Sequence, residues 1–265
     1  MEFNNTGIKV YDVSRYQTVM YENGKLLPLE KQKHIDFYKM KTKCDAVVLK
    51  CGQRNYKDPA FDIGWNNAKE AGLPRGSYWF CDKNESGKSQ ATLYWSYIKH
   101  DIGEGILAAD FEQGSWENWN ELYNFISELQ QLSGLPDEKI AVYTGYYYFM
   151  ENYPLKPESQ KWFSKYPLWI ASYTNDPSRV LIPPLWKKSF LWQYNTVVEG
   201  LEAGVHSLEI DANYFNGTRE EFRKYFSEAP NSNGNDGQVE TPTENKSASE
   251  VYGVYGSERI KYKEA

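Results

Sequence analysis

The chain has 265 residues, a net charge of −6 and an isoelectric point near 5.3. That acidity argues against a nucleic-acid partner, because phosphate binding needs a basic surface. A mean hydropathy of −0.73, with no run of roughly 18–20 apolar residues, argues against a membrane span.

The N-terminus, "MEFNNTGIKVYD", has neither a basic nor an apolar leader segment, so no secretory signal is expected. From Gly7 to about Ser227 the chain alternates between two patterns. Short runs rich in β-branched and aromatic residues occur at Ile8–Val10, Ala46–Lys50, Gly76–Phe80, Gly105–Ala109, Ile140–Tyr143, Leu168–Ala171, Phe190–Trp192 and Leu208–Ile210. The segment Thr18–His34 after the first run reads as an inserted loop or hairpin. The first five runs are separated by segments that mostly read as helices. "DPAFDIGWNNAKEAGL" has an Asp-Pro start and a Gly stop. "ESGKSQATLYWSYIKH" opens on a capping Ser. "SWENWNELYNFISELQQLSGL" has Ser115 as N-cap, apolar spacing near 3.6 and Gly134 at its end. After Ala171 the connections shorten and lose helical character.

Strands alternating with helices predict parallel βαβ units. The expected fold is α/β, an irregular TIM-like barrel with eight strands, about five regular helices and degraded last crossovers. The barrel is expected over residues 1–228. Residues 229–250 are polar and rich in Asn, Ser, Thr, Gly, Pro and Glu. They read as a disordered linker, unable to bury enough surface to order themselves. Residues 251–265 turn apolar and aromatic again but are too few to fold alone. They read as the start of a truncated module, or as an edge strand.

Three cysteines, Cys44, Cys51 and Cys81, without paired spacing, predict reduced and partly buried thiols. Three scattered histidines predict no metal site, and no cofactor motif is present. Aromatics make up 16% of the chain, with nine Trp and 22 Tyr. Most of that reads as core. The remainder suits a sugar platform, since ring faces match the C–H faces of pyranoses.

If the strands are parallel, their C-terminal ends share one mouth. "GIKVYD" delivers Asp12 there, "GILAAD" delivers Asp110 with Glu112 following, and "SLEID" delivers Asp211 with Asn213 following. A lone strand-end Asp is ordinarily a cap. Three such ends are harder to dismiss. Asp110 and Glu112, two positions apart, would face the same side of an extended chain. Crowded carboxyls raise one another's pKa, which is the raw material of glycoside hydrolysis. No GxSxG elbow, Ser/His/Asp set or phosphate loop competes with this reading. Other strand ends supply Tyr78, Trp79, Tyr143, Trp169, Tyr173 and Gln193. With Asn213, these read as the binding residues of a cleft for a neutral polysaccharide.

The segments "YDVSRYQ", "VVLKCGQ", "GWNNAKEAGLPRGSYWF", "GILAADFE", "VYTGYYYF", "PLWIASY", "LWQYN" and "LEIDANYF" together resemble glycoside hydrolase family 25, the lysozymes or N-acetylmuramidases. The resemblance spans roughly residues 7 to 216 in the family's order. It implies hydrolysis of the β-1,4 bond between N-acetylmuramic acid and N-acetylglucosamine in peptidoglycan, with retention of configuration. It also implies Glu112 as proton donor, Asp110 as nucleophile or as helper to the substrate's acetamide, and Asp12 and Asp211 as supports. Bacterial peptidoglycan is the implied partner, and a monomeric catalytic domain is expected. With no leader segment, the expectation is a cytoplasmic endolysin released to the wall, or a piece of a longer secreted precursor. A chitinase-like glycosidase and a non-catalytic sugar-binding barrel are the alternatives.

Overall fold

The computed structural model describes residues 5–113, 119–152, 162–197, 199–227, 251–255 and 258–262. Eight strands close into a barrel: β1 (Asn5–Val13), β4 (Ala46–Gln53), β6 (Arg75–Phe80), β7 (Leu107–Asp110), β8 (Ile140–Gly145), β9 (Leu168–Ala171), β10 (Leu191–Val197) and β11 (Ile210–Asn216). β1 pairs with both β4 and β11, which shuts the ring. Each of the eight predicted runs lies within, overlaps or adjoins one barrel strand. Between β1 and β4 lies the predicted insertion. It contains a small hairpin, β2 (Tyr21–Glu22) and β3 (Lys25–Leu26). Asn23 and Gly24 turn it, with φ of 50° and 75°. Positive φ at both central residues is what a tight hairpin turn demands and what Asn-Gly tolerates. A further short strand, β5 (Tyr56–Lys57), folds back on the end of β4.

The sequence errs on the direction of the last strand. Six neighbouring pairs are parallel, from β1–β4 round to β9–β10. β11 instead runs antiparallel to both β10 and β1. A parallel return needs a long crossover, normally a helix. The described part of the β10–β11 connection contains turns and no helix, so the chain comes back reversed.

Among the described residues there are six helices: α1 (Phe37–Met40), α2 (Phe61–Glu70), α3 (Gly87–Ile98), α4 (Trp119–Ser133), α5 (Tyr146–Asn152) and α6 (Arg219–Tyr225). Ser86 caps α3 through the Ser89 N–H. The predicted cap Ser115 and the predicted linker lie outside the described residues. α2, α3 and α4 lay apolar faces on the outside of the barrel, where Trp65, Tyr94, Phe125 and Leu129 meet Leu49, Cys51, Trp79 and Ala109. Inward-facing Val10, Val48, Ala108 and Ala141 fill the barrel itself. Phe190, Phe215, Phe222 and Phe226 close its floor, the last two in and after α6. α6 starts with a capping box between Thr218 and Glu221. All three cysteines are free and buried. β12 (Val251–Tyr255) and β13 (Glu258–Tyr262) pair with each other, outside the barrel sheet.

Candidate active site

Period-two alternation decides what reaches the mouth. On β7, Ala108 points into the barrel, Ala109 points out to the helices, and Asp110 points in again. Phe111 then turns outward and packs edge-on against Tyr148, with ring centroids 5.5 Å apart. Glu112, just past the strand, returns to the mouth. In the register, Phe80 lies beside Asp110 and Asp110 beside Tyr143.

Asp12 and Asp211 are direct partners across the β1–β11 pair. β1 brings Asp12 near its C-terminal end. β11 brings Asp211 at its N-terminal end, because it is reversed. The sequence reading expected "SLEID" to end a parallel strand at Asp211. The residue reaches the predicted mouth by the opposite route.

The four acids line one cleft of about 390 Å³, with Lys50, Tyr78, Phe80, Tyr143, Trp169, Tyr173 and Gln193 also contributing. Two predicted binding residues do not line it. Trp79 is fully buried on the outer face of β6, leaning on Tyr94 with centroids 5.6 Å apart, and its indole donates to Gln90 at 3.2 Å. Its neighbour Tyr78 takes the inward position. Asn213 is also fully buried and sits behind Asp12 rather than at the surface.

Asn213 belongs to a polar network that fixes Asp12. Trp169 donates its indole N–H to Asn213 Oδ1 at 2.6 Å. Asn213 Nδ2 donates to Asp12 Oδ2 at 2.8 Å and to the Val10 carbonyl at 3.0 Å. Gln193 Nε2 donates to the same Asp12 oxygen at 3.1 Å. Gln193 Oε1 accepts from the hydroxyls of Tyr143 at 2.8 Å and Tyr173 at 3.2 Å. Every amide in this chain is used on both sides, so the orientation is over-determined.

Asp110 is the contrast. It is 5% exposed, yet its Oδ1 is buried with no hydrogen-bond partner among the described residues. Orphaned buried oxygens are rare and call for an explanation.

Burial is the largest cause of the raised acids. Asp12 is pushed up to about 8 by burial and by the Asp211 charge, against the pull of its two amide donors. Asp211 rises to about 6 through burial and Glu209. Asp110 is held well above the carboxylate range by burial and the Glu112 charge, with Lys50 opposing. Glu112 is raised by burial between the cleft walls and by Asp211, while Lys50 and a Tyr143 hydrogen bond oppose. Like charges this close ionise as a set, so near neutral pH the cluster retains protons.

Lys50, Phe80, Tyr16 and Gln17 line the cleft and were not read from the sequence. Lys50 left a signal, being a charge inside the apolar run "VVLKCGQ". Its ammonium lies 4.7 Å from the Phe80 ring centroid and donates to Gln53.

Similarity to known proteins agrees with this geometry. Residues 29–201 match the family described as glycosyl hydrolases family 25. The protein YegX of Escherichia coli O157:H7 is 26% identical over 191 residues, 70% of this chain. The chain spans about 60% of the length of that relative. Among solved structures, a family 25 glycosyl hydrolase from Bacillus anthracis superposes with a TM-score of 0.64 at 22% identity, over 83% of this chain and 93% of that one. A muramidase from Trichobolus zukalii gives 0.61 at 23% identity, over 83% and 98%. The catalytic domain of endolysin ply40 from a Listeria monocytogenes phage gives 0.56 at 17%, over 82% and 96%. The family match includes Asp110 and Glu112 but stops short of β1 and β11, so the fold is what adds Asp12 and Asp211. Because the match covers more than half of the sequence, the chain belongs to glycosyl hydrolase family 25.

Proposed function

We propose that this protein is a retaining muramidase, hydrolysing the β-1,4 bond between N-acetylmuramic acid and N-acetylglucosamine in peptidoglycan. The observation that carries the reading is Asp110, with its unpartnered buried oxygen, set beside Glu112 in a cleft of raised acids. The names of the structural neighbours, muramidases and lysozymes among them, support the substrate class.

In this reading Glu112 is the general acid. It gives its proton to the glycosidic oxygen as the C–O bond breaks. Asp110 Oδ1 accepts the acetamide N–H of the sugar whose C1–O bond breaks. The acetamide oxygen then attacks the anomeric carbon from the opposite face. Substrate-assisted routes of this type are known exceptions to the two-carboxylate rule. Water, deprotonated by the Glu112 carboxylate, opens the cyclic intermediate, and two inversions give retention.

Substrate also sorts the protons. A donor N–H on Asp110 favours its ionised form and lowers its proton affinity. The proton shared by the coupled pair is then left on Glu112, where the first step uses it. Asp211 supplies negative charge near the developing cation and helps to keep Glu112 high, and Asp12, its partner across the strand pair, shares a proton with the cluster.

Two measurements test this. Glu112→Gln is expected to cut wall digestion by about 10²–10⁴-fold with thermal unfolding unchanged, and normal digestion by this variant would sink the assignment. Mass spectrometry of digested wall should find new reducing ends on muramic acid. Reducing ends on N-acetylglucosamine alone would reject the bond proposed.

A further inference from the structure

A second groove opens beside the catalytic cleft. It has a volume of about 920 Å³ and shares Glu112 and Tyr173 with the first, so the two are continuous. One wall is the first turn of α5, Tyr146–Tyr148. The other is the loop after β9, with Tyr173, Thr174 and Arg179. Tyr147 and Tyr173 present 68% and 70% of their surface to solvent, far more than the tyrosines of the core.

Arg179 is the single cation among the described residues lining this groove. It ends a short 3-10 turn, Pro177–Arg179, whose N-cap is Asp176. Asp176 gives its Oδ1 to the Ser178 N–H and hydroxyl, at 2.9 and 2.7 Å. The Arg179 guanidinium makes no hydrogen bond or salt bridge among the described residues; Asp176 acts on it only through its charge, its Oδ1 being engaged by Ser178. A planar fork of donors left open in a groove is suited to a carboxylate, which it meets with two parallel hydrogen bonds.

The junction of the grooves adds the geometry. Both meet at Glu112, which the proposed function places at the bond to be cut. One of the two sugars at that bond carries a lactyl ether bearing a peptide with free carboxylates. A linear glycan in the first groove leaves that branch to depart sideways at the junction. The first groove has four acids and one lysine on its walls, and that lysine already donates to Gln53, so it leaves no cation open to a carboxylate. The second offers tyrosine faces and one open guanidinium.

We propose that the second groove takes the peptide branch of the substrate, and that Arg179 is a specificity-determining residue pairing with a carboxylate of that peptide. The inference rests on the muramidase reading. Three substrates test it: soluble glycan oligomers bearing peptides with free carboxylates, the same with the carboxylates amidated, and peptide-free glycan made with an amidase. For Arg179→Gln, kcat/KM on the free-carboxylate substrate should fall about fivefold, the upper range for one solvent-exposed ion pair. The loss should lie in KM, with kcat kept. On the amidated and peptide-free substrates the variant should match the wild type, and Arg179→Lys should recover part of the loss. An equal fall on all three substrates, or no fall on any, overturns the proposal while leaving the glycosidase reading standing. A wild-type enzyme that cleaves none of the three overturns both.

Discussion

Asp12 and Asp211 face each other across the antiparallel pair that closes the barrel. Opposed like charges on a sheet are destabilising, and here Asp12 is buried and Asp211 half-buried. Both acids bind protons more tightly in the folded chain than in the unfolded one. Folding therefore takes up protons, and stability falls as pH rises from the ordinary carboxylate range of about 4 through about 6 and about 8. Asp211→Asn removes one of the two charges. It is expected to raise the unfolding free energy at pH 8 by up to about 1 kcal/mol, with no gain at pH 4, where both acids are protonated. Urea titrations at the two pH values check this, and an equal effect at both would contradict it. Activity should drop in the same variant, because the destabilising charge serves the reaction. The residue scale also shows the limit of strand reading. "SYWF" announces an inward and an outward aromatic, but alternation leaves open which is which. Tyr78 faces the cleft and Trp79 the helices because β6 pairs with β4 and β7 in one particular register.

At the scale of elements, β6 is anchored at its first residue. Arg75 is fully buried and is the hub between α2 and the turn before β7. Its Nη1 donates to the Trp65 carbonyl at 2.9 Å, its Nη2 to Asp101 at 2.9 Å, and its Nε to Glu104 at 3.1 Å. The guanidinium carbon also lies 4.3 Å from the Trp65 ring centroid. Deleting one partner of a buried ion pair strands the others. Arg75→Leu should cost about 3 kcal/mol, the lower end for such a loss because Asp101 keeps some water. A shift in the urea midpoint without a change in slope is the expected signature. In the sequence Arg75 sits in "GLPRGSYWF", a turn flanked by glycines, and nothing local marks it as buried. The glycines follow from the same packing. Gly105 lies against the Phe226 ring, where an added Cβ would come within 2.6 Å.

At the scale of the whole molecule, the described barrel is closed and floored by residues up to Phe226. β1 is hydrogen-bonded on both sides, and the floor is sealed by Phe222 and Phe226. The hairpin of β12 and β13 takes no place in that sheet. A chain ending after Ser227 is expected to unfold within about 0.5 kcal/mol of the full chain, because the hairpin adds no strand to the barrel and only lies against α2. Thermal and urea unfolding of the two chains would check this, and a larger loss would show that the tail supports the barrel. The high aromatic content is likewise a property of the whole. Trp65, Trp79, Trp186 and Trp192 are core residues whose indole N–H groups all find acceptors. Among the described residues, the rings that line the two grooves are Tyr16, Tyr78, Phe80, Tyr143, Trp169 and Tyr173, with Tyr146–Tyr148 beside them.

The sequence alone determined the eight barrel strands, the helices of three βα crossovers and the four acids that meet in the cleft. Each of these is written locally, as a β-branched run, a helical period or an acid that breaks an apolar pattern. Strand direction is not written locally, and "LEIDANYF" would read alike running either way. The tertiary structure decided that β11 is reversed, which sets Asp211 opposite Asp12 and buries Asn213 behind it. It also decided that Lys50 shares the cleft and that Asp110 keeps an unpartnered oxygen. These depend on closure of the ring, because only closure brings β1 and β11 into contact from opposite ends of the barrel sequence.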